Sequence, residues 1–196
     1  MTAMPRHMPE PADSLHLLTV AEYAELGETE HGYTELLEGR LLMSPSAAPD
    51  HNNAMFKLGM QLSSQVPDKF EVQLELDIDL GLTEPGKPGF SRRPDLIVVE
   101  RAARERVRES GGLLLASEVL VVIEIVSPGS RRTDHVDKRR DYADAGIPHY
   151  WIVDIDDPIS LTACFRTEEF GYRDHGVATG TFRSSSPLFL TWTLHS

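Results

Sequence analysis

The chain has a single cysteine, Cys164, among its 196 residues. An intrachain disulfide is therefore excluded, which fits a reducing compartment. Cys164 lies in the alternating run Leu161-Thr162-Ala163-Cys164-Phe165 and reads as a sheet residue, not a nucleophile. Long apolar runs are also lacking. Stretches such as Val119 to Ile123 fall far below a membrane-spanning length, so no membrane segment is expected. The opening residues, MTAMPRHMPEPADS, lack the apolar segment of a signal peptide. Residues 1–14 read as a disordered leader, residues 15–196 as one domain, and the protein as cytoplasmic. Positive charge is scarce: 19 Lys and Arg face 31 Asp and Glu, for a net charge of −12. That balance argues against a generic nucleic-acid binder.

The distribution of charge softens the argument. Residues 92–140 hold 11 of the 19 basic residues and 8 of the 31 acidic ones, a local balance of +3. Arg131, Arg132, Arg139 and Arg140 belong to this segment and are candidate phosphate contacts; ordinary solvated arginines are the alternative.

The element pattern alternates between strands and helices. Thr19 and Glu22 form a capping-box signature for a short helix that Gly27 would stop. Residues 33–37 and 40–43 read as a hairpin turning at Glu38-Gly39. A helix is expected at about 50–65, with Ala54, Met55, Leu58 and Leu62 on its apolar face. Residues 70–80 alternate strictly, which predicts one continuous strand with an acidic, solvated face. Strands follow at 95–99 and 119–126, the second almost wholly apolar and therefore central. The arginine-rich connection 100–118 carries no clear pattern. A helix over 133–145 stops at Gly146, with Pro148 beyond, and Tyr150 to Val153 is a buried strand. Short strands at 159–165 and 188–194 complete the pattern.

Glu124 is the first residue with chemistry. A carboxylate within Leu120-Val121-Val122-Ile123-Glu124-Ile125-Val126 is costly to bury without a cation, a proton or several donors. An arginine partner would satisfy it, and so would a metal. Asp95 bears on that choice. If strands 70–80, 95–99 and 119–126 form an antiparallel meander, Asp95 and Glu124 lie side by side. Adjacent carboxylates repel unless a cation lies between them. Mg²⁺ commonly takes one or two carboxylates together with waters and phosphate oxygens.

Lys138 follows from the crossover. Strand 119–126, helix 133–145 and strand 149–153 form a β-α-β unit, so the helix runs back along the strand. Glu124 lies roughly 10 Å before the strand end, and Lys138 lies about 7.5 Å into the helix. The two are thus at similar height. Asp134, Lys138 and Tyr142 share one helix face; a solvated Asp134–Lys138 pair is the plain alternative. Glu35 and His51 are weaker candidates, since a strand glutamate and a first-turn histidine are commonly exposed.

The ordered set of motifs resembles a known family. Glu35-Leu36-Leu37-Glu38-Gly39, Ser44-Pro45 with His51, Arg93-Pro94-Asp95, Glu124-Ile125-Val126-Ser127-Pro128, Asp134-x3-Lys138-x3-Tyr142 and Ala145 to Asp154 are similar to the Uma-two branch of bacterial endonucleases. That branch lies within the PD-(D/E)XK restriction-endonuclease-like superfamily. The resemblance implies an α/β fold: a mixed β-sheet flanked by helices, with extra β segments at both ends. It implies a Mg²⁺-dependent DNA endonuclease, with Mn²⁺ possible as substitute. Asp95, Glu124 and the Ile125 carbonyl would hold the metal, and Lys138, Glu35 and His51 would be catalytic. A homodimer is the default, since cutting two strands suits two-fold symmetry. The chain departs from the superfamily at Val126, where the signature lysine is expected; Lys138 takes that role from the helix. A non-catalytic scaffold for nucleic acid or protein, and a hydrolase of another phosphate substrate, are the rival readings.

Overall fold

The computed structural model describes residues 16–27, 33–43, 47–183 and 191–193. The expected leader, the motif pair Ser44-Pro45 and part of the last expected strand lie outside the described residues. Thr19 caps helix α1 (Val20–Leu26) reciprocally: its hydroxyl accepts from Glu22 N at 3.2 Å, and its own N–H donates to the Glu22 carboxylate at 2.8 Å. Gly27 ends the helix at φ 62°. Strands β1 (Thr34–Leu37) and β2 (Arg40–Met43) form the expected hairpin. Glu38 and Gly39 both take positive φ, as a two-residue turn of this hand requires. Helix α2 (Pro49–Ser63) buries Ala54, Met55, Leu58 and Leu62.

The continuous strand expected over 70–80 is instead two strands in two sheets, β3 (Phe70–Leu74) and β4 (Ile78–Asp79). The break falls at Glu75, whose φ is 50°. Its acids are not a solvated face either. Glu71 is buried beneath Arg101 and Arg104. Asp77 accepts from Arg93 and from the Tyr23 hydroxyl. Alternation along the sequence thus marked ion pairing, and the partners twist the chain from one sheet to the other.

Strands β5 (Ser91–Arg92) and β6 (Leu96–Glu100) follow. The connection 100–118 forms helix α3 (Arg101–Ser110), strand β7 (Leu114–Leu115) and a 3-10 turn, Ala116–Glu118. Arg106 pairs with Glu118 at 2.7 Å and closes this excursion. Strand β8 (Val119–Val126) leads to a π-helical turn, Thr133–Lys138, and helix α4 (Arg139–Asp144), where a uniform helix was expected. Strands β9 (His149–Asp154), β10 (Ser160–Thr167), β11 (Gly171–Thr179), β12 (Thr181–Arg183) and β13 (Thr191–Thr193) complete the described chain.

The main sheet has the order β11-β10-β9-β8-β6-β3, with β8 and β9 parallel and the other neighbours antiparallel. A second sheet has the order β2-β1-β5-β4-β7. The fold is α/β, with mixed sheets flanked by helices. On one face of the main sheet, α2 packs against Leu96, Val98, Val121, Ile123, Ile125 and Trp151. On the other face lie Tyr142 and Ala143 of α4, Ala103 of α3 and Ile78 of the second sheet, against Ile97, Val99, Val122, Val126 and Ile152. Cys164 is a buried member of this second layer, and burial pushes its thiol up to about 12. From Val121 onward, strand β8 thus sends its odd-numbered residues to the α2 layer and its even-numbered ones to the crossover-helix layer.

Candidate active site

Register alone places the two acids together. Leu96 pairs with Ile123 and Ile97 with Val122 in the antiparallel β6–β8 ladder. Continued one residue beyond the ladder, this register sets Asp95 beside Glu124. The Asp95 carboxylate accepts the Ile125 N–H at 2.6 Å, which ties it to the end of β8. His51, in the first turn of α2, brings Nε2 to 3.2 Å from the same Asp95 oxygen. Both Glu35 and His51 are buried, contrary to their expected exposure.

Glu124 shares its strand face with Val122 and Val126 and therefore meets the crossover helix. Its Oε1 accepts from the Tyr142 hydroxyl at 2.7 Å and from the Lys138 ammonium at 2.9 Å. The matched heights of strand and helix are thus realised as direct contact. Lys138 Nζ also lies 3.6 Å from Glu35 and 3.7 Å from Asp134. Asp134 is 1% exposed, so the solvated pair expected as the alternative does not exist. A π-helical turn widens hydrogen bonding to i→i+5 and often occurs at functional sites; here it spans Asp134 to Lys138.

Arg92 and its partner Asp141 escaped the sequence reading. Arg92 is 3% exposed and donates to Glu35 through Nη1 at 2.7 Å, and to Asp141 through Nε at 3.1 Å and Nη2 at 2.5 Å. In sequence, Arg92 looked like one member of a basic patch. The signal that could have found it was its place beside Pro94-Asp95, opposite the Glu35 hairpin.

The electrostatics are unbalanced. Glu35, Asp95, Glu124, Asp134 and Asp141 face two buried permanent cations, Arg92 and Lys138; the largely exposed Arg140 reaches only Asp141, and His51 adds a charge only when protonated. Burial, reinforced by Asp95, Asp134 and Glu35, pushes Glu124 up to about 8 against the pull of Lys138. Burial also raises Asp134 above the usual carboxylate range. Neither Asp134 carboxylate oxygen meets a hydrogen-bond partner in good geometry, leaving Lys138 and the Ser130 hydroxyl to favour its charge. Burial opposes ionisation of Glu35 too, but Lys138 and Arg92 outweigh it and hold Glu35 below its ordinary value. The Asp95 hydrogen bond raises His51. Burial would lower Lys138, yet Glu124, Glu35 and Asp134 together hold it above its ordinary value. The ammonium is charged in this arrangement, not a free base.

A divalent cation fits these residues. The acids outnumber the cations even with His51 protonated and Arg140 counted, and Glu124, buried among them, is driven towards protonation. Among the described residues no three His, Cys, Asp or Glu converge as a metal-ligating group. A site here would rest on Asp95, Glu124 and a backbone carbonyl, within the habit of Mg²⁺ for few protein ligands and many waters.

The four candidate phosphate-binding arginines lie around the crossover helix. Arg131 pairs with Asp154 and Asp156 at 2.5 and 2.9 Å, and Arg139 with Asp174 at 2.6 Å. Arg140 reaches Asp141 at 3.4 Å and is 69% exposed along its side chain, while Arg132 is exposed. Much of the local +3 balance is therefore engaged within the molecule.

Residues 20–195 match the Uma2 family, described as "Putative restriction endonuclease". Among solved structures, the fold is similar to "a putative nuclease belonging to DUF820" from Anabaena variabilis. The two share 21% identity over 80% of this chain and 83% of that one, with a TM-score of 0.60. At that identity the likeness establishes the fold. No protein of curated function matches the chain significantly.

Proposed function

The chain belongs to the Uma2 family, and from that membership we propose that it is a divalent-metal-dependent DNA endonuclease of the PD-(D/E)XK type. One observation carries the reading: the Lys138 ammonium lies 2.9 Å from Glu124, at the strand end where the Asp95 carboxylate accepts the Ile125 N–H. A lysine from the helix would thereby serve in place of the lysine expected at position 126. Val126 shares the Glu124 face of β8 and abuts the same layer.

Asp95, Glu124 and the Ile125 carbonyl would hold Mg²⁺, with Mn²⁺ as substitute. The cation supplies Lewis acidity towards a phosphodiester. His51 holds the Asp95 carboxylate in place, and Tyr142 does the same for Glu124. Lys138 remains charged; it orients a water by hydrogen bonding and offsets charge that develops on the phosphate oxygens. Glu35, 3.6 Å away, helps to hold the ammonium. Arg131, Arg132, Arg139 and Arg140 would contact flanking phosphates, with their acidic partners released. A homodimer would present two such sites to the two strands of a duplex, in the cytoplasm. No described helix is long and apolar enough to cross a membrane.

Incubation of the purified protein with plasmid and linear DNA, with Mg²⁺, Mn²⁺ or chelator, tests this directly. Metal-dependent nicking that Asp95→Asn and Glu124→Gln abolish is the expected result. Complete inactivity on all DNA forms would favour the second reading, a non-catalytic binding scaffold. The engaged arginines and the net charge of −12 are the features that favour it.

A further inference from the structure

Lysine is a flexible point charge on a four-carbon stem, yet Lys138 has its ammonium among three buried carboxylates. Something must fix which carboxylate it meets. Glu35 Oε2 is taken by Arg92 Nη1 at 2.7 Å, and Oε1 by the Arg93 N–H at 3.1 Å. Its plane is thus set by two donors at the end of β5 before it meets Lys138. Arg92 is set in turn by Asp141, to which two of its nitrogens donate. Asp141 lies three residues beyond Lys138, one turn along the same crossover helix. One guanidinium therefore touches both the helix that carries the lysine and the carboxylate that backs it. All of this is buried: the side chains of Arg92, Glu35 and Asp141 are 4%, 7% and 5% exposed.

We propose that Arg92 is a positioning residue for Lys138, joining Glu35 of β1 to Asp141 of α4 so that the ammonium is held at a fixed distance from Glu124. The inference rests on the nuclease reading for its kinetic consequence, but not for its structural one. An arginine is required because the fork uses Nε, Nη1 and Nη2 in fixed directions, which a lysine cannot reproduce. A purely structural ion triad would lower stability when broken, but would leave the lysine and the turnover of folded protein unchanged.

The test uses the full-length chain with Arg92→Lys, read by side-chain ¹⁵N NMR of the Lys138 ammonium and by steady-state DNA cleavage with Mn²⁺. In the wild type the ammonium should give a slowly exchanging resonance, assigned by its loss in Lys138→Met. In folded Arg92→Lys that resonance should broaden away. The kcat should fall about 10–100-fold, the range for lost outer-shell partners, while KM and Mn²⁺ affinity stay within about twofold. Should Arg92→Lys fail to fold, Glu35→Gln carries the same expectation at nearly constant volume. A persisting Lys138 resonance with unchanged kcat in either folded variant overturns the proposal. If the wild type cleaves no DNA, the nuclease reading fails alone, and the NMR result still decides the role of Arg92.

Discussion

Glu124 should make the metal-free protein less stable as pH rises through the neutral range. Its carboxyl is raised from an ordinary 4.5 to about 8 in the folded chain, chiefly by burial. A raised carboxyl means that the native state binds more protons than the unfolded one between those two pH values. Its stabilising contribution is complete below about pH 4.5 and is lost as pH climbs towards 8. A displacement of that size is worth at most about 5 kcal/mol, or about 10–20 °C in Tm for a chain of this length. His51 and Asp134, also raised, act in the same direction, whereas His149, lowered by burial, opposes it. Glu35 titrates below this window, because it is lowered. Comparison with Glu124→Gln removes these other terms. The amide still accepts from Tyr142 and Lys138 but cannot ionise. Thermal or urea unfolding in chelator at pH 5, 6, 7 and 8 should show a falling stability for the wild type and a flatter profile for Glu124→Gln. Millimolar Mg²⁺ or Mn²⁺ should flatten the wild-type profile too, since the cation replaces the proton. Wild-type stability that rises over this range, or a Glu124→Gln profile of equal slope, would refute the reasoning.

Lys138→Ala should abolish metal-dependent cleavage while the protein stays folded; adding Val126→Lys in that background should restore part of the rate, because both positions face Glu124. Full nuclease activity of Lys138→Ala in gel-based cleavage assays would remove the lysine from the mechanism. DNA affinity, measured by fluorescence anisotropy across a salt series, should fall steeply, and charge reversal at Arg131, Arg132, Arg139 and Arg140 should make the log–log slope shallower by about one per lost phosphate contact. An affinity that ignores both salt and these substitutions would exclude that surface.

The strands and the Asp95–Glu124–Lys138 convergence were legible because they depend on local order: an apolar run broken by one acid, a β-α-β crossover, and matched distances along strand and helix. The contact of Lys138 with Glu124 is the direct result of that arithmetic. The segment 70–80 misled because alternation does not distinguish solvated acids from acids held by arginines remote in sequence. Glu71 with Arg101 and Asp77 with Arg93 are tertiary pairs, and the kink at Glu75 serves them. Glu35, Arg92 and Asp141 were illegible as a unit for the same reason. They lie on three elements, and each looks ordinary until the second sheet folds against the crossover helix.

The central claim is that a divalent cation belongs between Asp95 and Glu124. Anomalous diffraction from a crystal soaked in Mn²⁺ tests it most directly. One strong peak is expected about 2.1–2.4 Å from carboxylate oxygens of both residues, with Lys138 still in contact with Glu124. A peak elsewhere, or none at millimolar Mn²⁺, would contradict it.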